Sequence, residues 1–282
     1  MSRLSYSSLE AYRHCGYRFF LEKTLKLSRV DAPPGEEPAA SGLSALLRGT
    51  VVHGLLEGLD FGQPLVPVDQ DVAAAVDQHG MEALPADVAD IRAMLERVTG
   101  SRLRERIAAA RRVRTELPFA FTLDVGNRSL LVNGVVDVHV DEGARTLVVD
   151  WKSDALRERE PEELTREEYS TQRIIYALAA LRAGAERVEV VHCYLERPDD
   201  PAVAVYEAAD MEALERELLG LARGVTEGRF EPSGEPQFSL CADCPGRAAL
   251  CVHEPELTLR AVRQAGGAAP GAGSGSSVGT PS

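Results

Sequence analysis

At 282 residues, 44% hydrophobic, the chain is long enough for one large domain or two small ones and rich enough in apolar side chains for a real core. Its net charge of −13 argues against a general nucleic-acid coat protein, because phosphate binding rewards Lys and Arg. No apolar stretch reaches the length of a membrane span and the N-terminus carries no charged-then-apolar signal, so a cytoplasmic protein without a membrane partner is expected; five cysteines, an odd number, argue against a disulfide framework.

In chain order, Ser7-Ser8-Leu9-Glu10 reads as a capping box with Ser7 at the cap. The helix it opens carries Leu9, Tyr12, Cys15, Phe19 and Phe20 on roughly one face. Residues 31–42, rich in Pro, Gly, Ala and Glu, read as a loop. Residues 43–58 read as a helix containing His53 and Glu57, and 70–112 as polar helices forming an inserted helical lobe, about 60–112. Three strands follow over 113–152, a helix over 162–183, a strand over 186–196 and a helix over 209–227. From 259 the chain drifts into Gly, Ala, Ser and Pro, the composition of a disordered tail. This order predicts an α/β fold: a mixed central sheet flanked by helices, with an N-terminal helical lobe. Basic residues gather in 1–30 and 102–114, so an acidic chain could still hold a basic channel, although solvated helix faces explain the second cluster equally well.

The most informative segment is the apolar run Leu147-Val148-Val149-Asp150-Trp151-Lys152. Alternation puts Asp150 and Lys152 on one face. If Gly143-Ala144 is a two-residue hairpin loop, Glu142 opposes Arg145 and Asp137 falls opposite Asp150. Two carboxylates and a lysine then meet on one sheet face. Hard oxygen donors of this kind suit Mg²⁺ or Mn²⁺, and the Trp151 backbone carbonyl could add another. A divalent ion beside a lysine is suited to phosphodiester hydrolysis, with Lys152 orienting or deprotonating water or neutralising developing charge. On spacing alone, two solvated strand-end carboxylates with Lys152 as their ion-pair partner fit equally well.

Several segments in order resemble the PD-(D/E)xK nuclease superfamily, specifically its RecB-type branch. They are Leu4–Glu10, Arg48–Glu57 with a Gly four residues before His53, Thr115–Phe119, Gly134–Asp137, Val149–Lys152 and Gln172–Tyr176. The resemblance implies a restriction-endonuclease-like core over residues 1–258. It implies that His53, Asp137 and Asp150 bind metal, that Lys152 is catalytic, and that Glu116 sits at the site. Gln172 and Tyr176, four apart on one helix face, would contact the substrate strand or organise the site. His139 shares a strand face with Asp137 and reads as a bystander.

Cys241-Ala242-Asp243-Cys244, Cys251 and the distant Cys15 supply four candidate thiolates. The spacing suits a tetrahedral zinc or an iron–sulfur cluster. Helicase–nuclease and CRISPR-adaptation members of this branch hold a 4Fe–4S cluster with one cysteine before the nuclease core and three after it, an arrangement these four are similar to. The final gap is a residue longer than the commonest form. Such a cluster would close the ends of the domain. Cys193 reads as a core strand residue.

The expectation is therefore a metal-dependent DNA nuclease, an exonuclease or end-processing enzyme acting in repair, recombination or CRISPR adaptation. Its partner is DNA, single-stranded or with free ends. The sequence holds no Walker A pattern, so a helicase or a CRISPR-adaptation protein would be a separate partner. The rival of a different class is a silent DNA-end-binding scaffold or a subunit of a helicase–nuclease complex.

Overall fold

The computed structural model describes residues 2–30, 42–247 and 249–259. The predicted loop over 31–42 and the predicted tail lie almost wholly outside them. The strands are β1 (Ser2–Ser5), β2 (Arg112–Val125), β3 (Arg128–Asp141), β4 (Thr146–Lys152), β5 (Arg187–Tyr194) and β6 (Ala202–Glu207). The helices are α1 (Tyr6–His14), α2 (Gly16–Phe19), α3 (Ala45–Glu57), α4 (Asp69–Asp77), α5 (Pro85–Thr99), α6 (Arg102–Ala108), α7 (Pro161–Glu168), α8 (Ser170–Arg182), α9 (Met211–Thr226), α10 (Phe238–Cys241) and α11 (Pro255–Thr258). The six strands form one mixed sheet in the order β1-β3-β4-β5-β6, with β2 pairing β3. No helix among the described residues is long and apolar enough to cross a membrane.

β3 organises the sheet. β2 runs antiparallel along its full length, so β1 and β4 must share its other edge. β1 pairs in parallel as far as Ser5–Asn133. β4 comes from the opposite direction, and its last ladder pair is Val138–Val149. The carboxyl ends of β1 and β4 thus converge on Gly134–Asp137, and the carboxyl ends of strands are where open α/β sheets place ligands. The alternation of β3 also changes there. Leu130, Val132 and Val136 pack with α1, α8 and α9, whereas Val138 and Val140 pack with α3–α6. On β2 the same change lies between Val113 and Leu117.

Each face of the sheet has its own core. Ile174–Leu178 of α8 and Leu214, Leu218 and Ala222 of α9 cover one face. Val52, Leu56, Val76, Ile91, Leu95 and Ile107 cover the other, so the early helices share a core with β3–β5. Buried aliphatic side chains on both faces account for the near-continuous apolar run of β4.

The structure corrects four local readings. Helix α1 begins at Tyr6, so Ser7 lies in its first turn, and Glu10 turns to Arg13 and His14 instead of closing a capping box. The N-terminal helix is not continuous: Cys15 is extended (φ −159°, ψ 103°) and caps α2 through its sulfur. The helix expected over 162–183 breaks at Tyr169 (φ −129°, ψ 14°). Strands β1 and β6 add to the predicted set; each is too short for periodicity to mark it, and β6, after the buried Ala202, alternates exposed and partly buried residues at the sheet edge.

Gly224 of α9 lets Tyr12 lie against the helix backbone, from which its hydroxyl donates to the Arg229 carbonyl (2.6 Å). A Cβ there would stand 2.7 Å from Tyr12 Cζ. Gly224→Ala should displace Tyr12 from its edge contacts with Phe19 and Phe230 and cost about 1–3 kcal/mol in urea denaturation; an unchanged midpoint would show that Tyr12 is free to move.

Candidate active site

The predicted hairpin register is present. Val138–Val149 and Asp141–Thr146 are ladder partners, and Glu142 N–H bonds the Arg145 carbonyl (3.0 Å). Gly143, at φ +90°, turns the chain where only glycine does so without strain. Asp137 and Asp150 come next in register, but the ladder has ended. In its place Trp151 N–H donates to Asp137 Oδ2 (2.8 Å). The Trp151 ring points to the other face and stacks on Phe61.

Asp150 and Lys152 are both buried, with Lys152 Nζ 2.7 Å from Asp150 Oδ2. Helix α8 supplies the remaining partners. Gln172 Oε1 accepts from Lys152 Nζ (2.9 Å), and Gln172 Nε2 donates to Asp150 Oδ1 (2.8 Å). The reversed amide would set carbonyl against carboxylate and NH₂ against ammonium, so charge fixes its orientation. Tyr176 Oη lies 2.9 Å from Asp150 Oδ1 and 3.0 Å from the Val135 carbonyl, and receives Gln172 Nε2 (2.9 Å). Gln172 and Tyr176 are each only 1% exposed. Of the two roles expected for this pair, contacting the substrate strand or organising the site, their burial and their bonds to Asp150 and Lys152 fit the second.

The two carboxylates are held differently. Burial and then the neighbouring Asp150 push Asp137 up to about 8. Burial, the largest single effect, acts to raise Asp150, but Lys152, His192 and His53 together outweigh it and keep Asp150 below the usual carboxylate range. His53 Nδ1 stands 3.4 Å from Asp137 Oδ2, close to the Trp151 backbone. Burial lowers its basicity, favouring the neutral ring that ligates metals. Gly49 brings it there: a Cβ at 49 would meet Ser153 Oγ at 2.8 Å, so glycine permits α3 to approach the end of β4. Glu116 lies opposite Asp137 in the β2–β3 register, at φ +48°. Burial, then Glu57 and Asp150, raise its carboxyl. His139 pairs with Val148 further along the ladder, and burial and Arg114 lower its basicity.

Two further neighbours belong to the site without any motif to mark them. Tyr169, at the α7–α8 break, carries Lys152 Nζ 3.8 Å from its ring centroid. His192 of β5 pairs with Asp150 in register, stacks on Tyr169 (5.9 Å, 21°) and is fully buried. Burial drives its imidazole down to about 3, and neither ring nitrogen has a hydrogen-bond partner among the described residues. A signal for Lys152 did exist in the sequence: the chain uses arginine almost throughout, and Lys152 is one of three lysines, with Lys23 and Lys26.

The donors suit a hard divalent cation in kind: one imidazole, two carboxylates and a backbone carbonyl. They are not gathered into a cage, since among the described residues no three His, Cys, Asp or Glu side chains are placed to hold a metal. Lys152 takes the position on Asp150 that a cation would contest.

Cys15, Cys241, Cys244 and Cys251 line one cavity, together with Arg18 and His253. All four are free thiols. The break at Cys15 turns its sulfur out of the helix, where it accepts from Arg18 N–H (3.3 Å). Cys244 follows Cys241 by one turn (N–H to O, 3.0 Å), and its sulfur accepts from Gly246 N–H (3.4 Å). Cys193 is buried in β5, as expected of a core residue.

Residues 3–251 match the PD-(D/E)XK nuclease superfamily, and the chain belongs to it. Among curated proteins it is similar to one of the subunits of the ATP-dependent helicase/nuclease of Acetivibrio thermocellus (27% identical over 167 residues, 55% of this chain but 13% of the relative). The corresponding protein of Oceanobacillus iheyensis is 24% identical over 190 residues, 62% of this chain and 14% of that one. The matched stretch is thus a small part of those long proteins. A solved Eubacterium rectale protein described provisionally as an exonuclease shares 12% identity, with 82% of this chain and 84% of that one aligned at a TM-score of 0.48.

Glu116 holds a left-handed conformation that costs an L-residue about 1–2 kcal/mol. Glu116→Gly should raise stability by about 0.5–1 kcal/mol in urea denaturation, the gain being reduced by glycine's greater unfolded-state entropy; a fall would show that the carboxylate itself secures the turn.

Proposed function

We propose that the chain is a metal-dependent deoxyribonuclease that works from DNA ends. The observation that carries this reading is the meeting of Asp137, Asp150 and Lys152 where β3 and β4 part, with His53 against Asp137. His53, Asp137, Asp150 and the Trp151 carbonyl are the residues that would hold Mg²⁺ or Mn²⁺. The bound ion would supply Lewis-acid stabilisation of the phosphate and a more acidic water.

The chain's own groups account for the rest. Asp150 stays ionised because Lys152 faces it. Gln172 and Tyr176 hold Asp150 Oδ1, leaving Oδ2 toward Lys152. The Lys152 ammonium is placed to balance negative charge as it builds on the phosphate. Glu116, opposite Asp137, would sit at the mouth of the same site.

The preference for DNA ends draws on the resemblance to the RecB-type branch, whose members process ends. These 282 residues hold no Walker A pattern, so any unwinding would come from outside them, from a helicase; a CRISPR-adaptation partner is the other source of free ends. A silent end-binding scaffold is disfavoured because His53, Asp137, Asp150 and Lys152 are all present, His53 against Asp137 and Lys152 against Asp150. Cys15, Cys241, Cys244 and Cys251 would hold a 4Fe–4S cluster tying the N-terminal helices to the C-terminal segment, with zinc as the alternative. Their shared cavity supports this reading.

Anaerobically purified protein should degrade end-labelled DNA in Mn²⁺ or Mg²⁺ and not in EDTA. Lys152→Ala should lower the rate by about 10²–10³ while DNA binding persists. Cutting in EDTA, or by the alanine variant at full rate, would sink the mechanism. Cys244→Ser should lose bound iron and sulfide, or zinc, and lower Tm by about 5 °C or more, because the cross-link would close a very long loop. Unchanged metal content and Tm would contradict the staple.

A further inference from the structure

Lys152 has a third neighbour that the proposed mechanism does not use. Besides Asp150 Oδ2 at 2.7 Å and Gln172 Oε1 at 2.9 Å, its ammonium lies 3.8 Å from the centre of the Tyr169 ring. The ring comes from a place where the chain is not helical. α7 ends at Glu168 and α8 starts at Ser170, with Tyr169 between them at φ −129° and ψ 14°. The break is braced on every side. Glu162 of α7 takes both ends of the buried Arg173 guanidinium of α8 (2.8 and 2.9 Å). Thr165 of α7 meets the buried Tyr194 hydroxyl of β5 (2.9 Å). The Tyr169 ring stacks on His192 of β5, and Asp154, two residues beyond Lys152, lies near its hydroxyl. A continuous helix over this stretch would carry the ring elsewhere, so the bracing fixes one ring position against one ammonium.

We infer that Tyr169 is a positioning residue for Lys152, and that the α7–α8 break exists to present its ring to the ammonium. An ammonium has three hydrogen-bond directions and no fixed plane. Asp150 and Gln172 leave its lateral position open, and a desolvated aromatic face closes that freedom while favouring the cation. The ring thereby keeps Lys152 on the Asp150 side of the site. In this role Tyr169 acts through Lys152. The activity arm of the test rests on the nuclease reading; the spectroscopic arm does not.

The experiment exploits the chain's three lysines. Protein carrying ¹³C-lysine should show three Hε–Cε signals. The signal lost in Lys152→Arg should be shifted upfield by the ring current of Tyr169. In Tyr169→Leu it should return to the position of the other two, with kcat down by about 30-fold and KM for DNA within about twofold. Tyr169→Phe keeps the ring and should retain kcat within about threefold. An unshifted Lys152 signal in the wild type would overturn the placement. So would a Tyr169→Leu protein that cuts normally, or a Tyr169→Phe protein as impaired as Tyr169→Leu, which would transfer the role to the Tyr169 hydroxyl. Were the wild type itself not to cut DNA, the nuclease reading would fall, and the lysine signal by itself would decide the placement.

Discussion

A buried lysine beside a buried carboxylate is the constraint from which the rest of the site follows. Removing both charges from water costs several kcal/mol, repaid only if every remaining donor and acceptor is met. Asp150 and Lys152 are met by one another, by the Gln172 amide, by the Tyr176 phenol and by the Tyr169 ring. These residues lie in β4, in α8 or at the α7–α8 junction, so those elements cannot shift independently. Losing Asp150 or Lys152 would leave the other charge buried and unpaired, and losing the amide or the phenol would take a hydrogen bond from the buried pair.

The sheet makes room for that network by giving up its own regularity. At Asp137 the β3–β4 ladder stops, and a side-chain oxygen takes the N–H of Trp151 that a carbonyl would otherwise take. Across β3, Glu116 adopts a left-handed backbone at the same level, and both strands exchange the faces to which they send apolar side chains. One irregularity thus opens the sheet, aims a third carboxylate toward the gap and lets α3 and α8 both reach it from opposite cores. Strain at such a position is the kind that surrounding packing sustains when a site needs it.

The cysteine cavity depends on a second interruption of the same kind. The chain breaks its first helix at Cys15 and lays the segment after α9 against the break, with Tyr17 N–H bonding the Glu231 carbonyl (3.0 Å) and Tyr17 Oη the Leu250 carbonyl (2.9 Å). Arg18 bridges to Glu22 and Asp243. These contacts join the two ends of the fold and leave four thiols facing one space.

Much of the site was legible in the sequence, because hairpin arithmetic is local: a glycine turn and period-two alternation put Asp137 opposite Asp150 and Lys152 beside it. The ordered motifs likewise pointed to the family, and helix spacing paired Gln172 with Tyr176. Local rules did not reveal what Gln172 and Tyr176 touch, since burial depends on which face α8 lays on the sheet. Nor did they reveal the breaks at Cys15 and Tyr169, where helix propensity is overridden by partners far along the chain: Asp154, Tyr194 and His192 for one, the segment after α9 for the other. Alternation, reliable within each half of β3, failed across Asp137 because only the meeting of three strands and two cores decides where a sheet changes face. The sequence by itself determined the residues and their order; the tertiary structure alone decided which of them are buried together, because burying a charge is a property of all its neighbours at once.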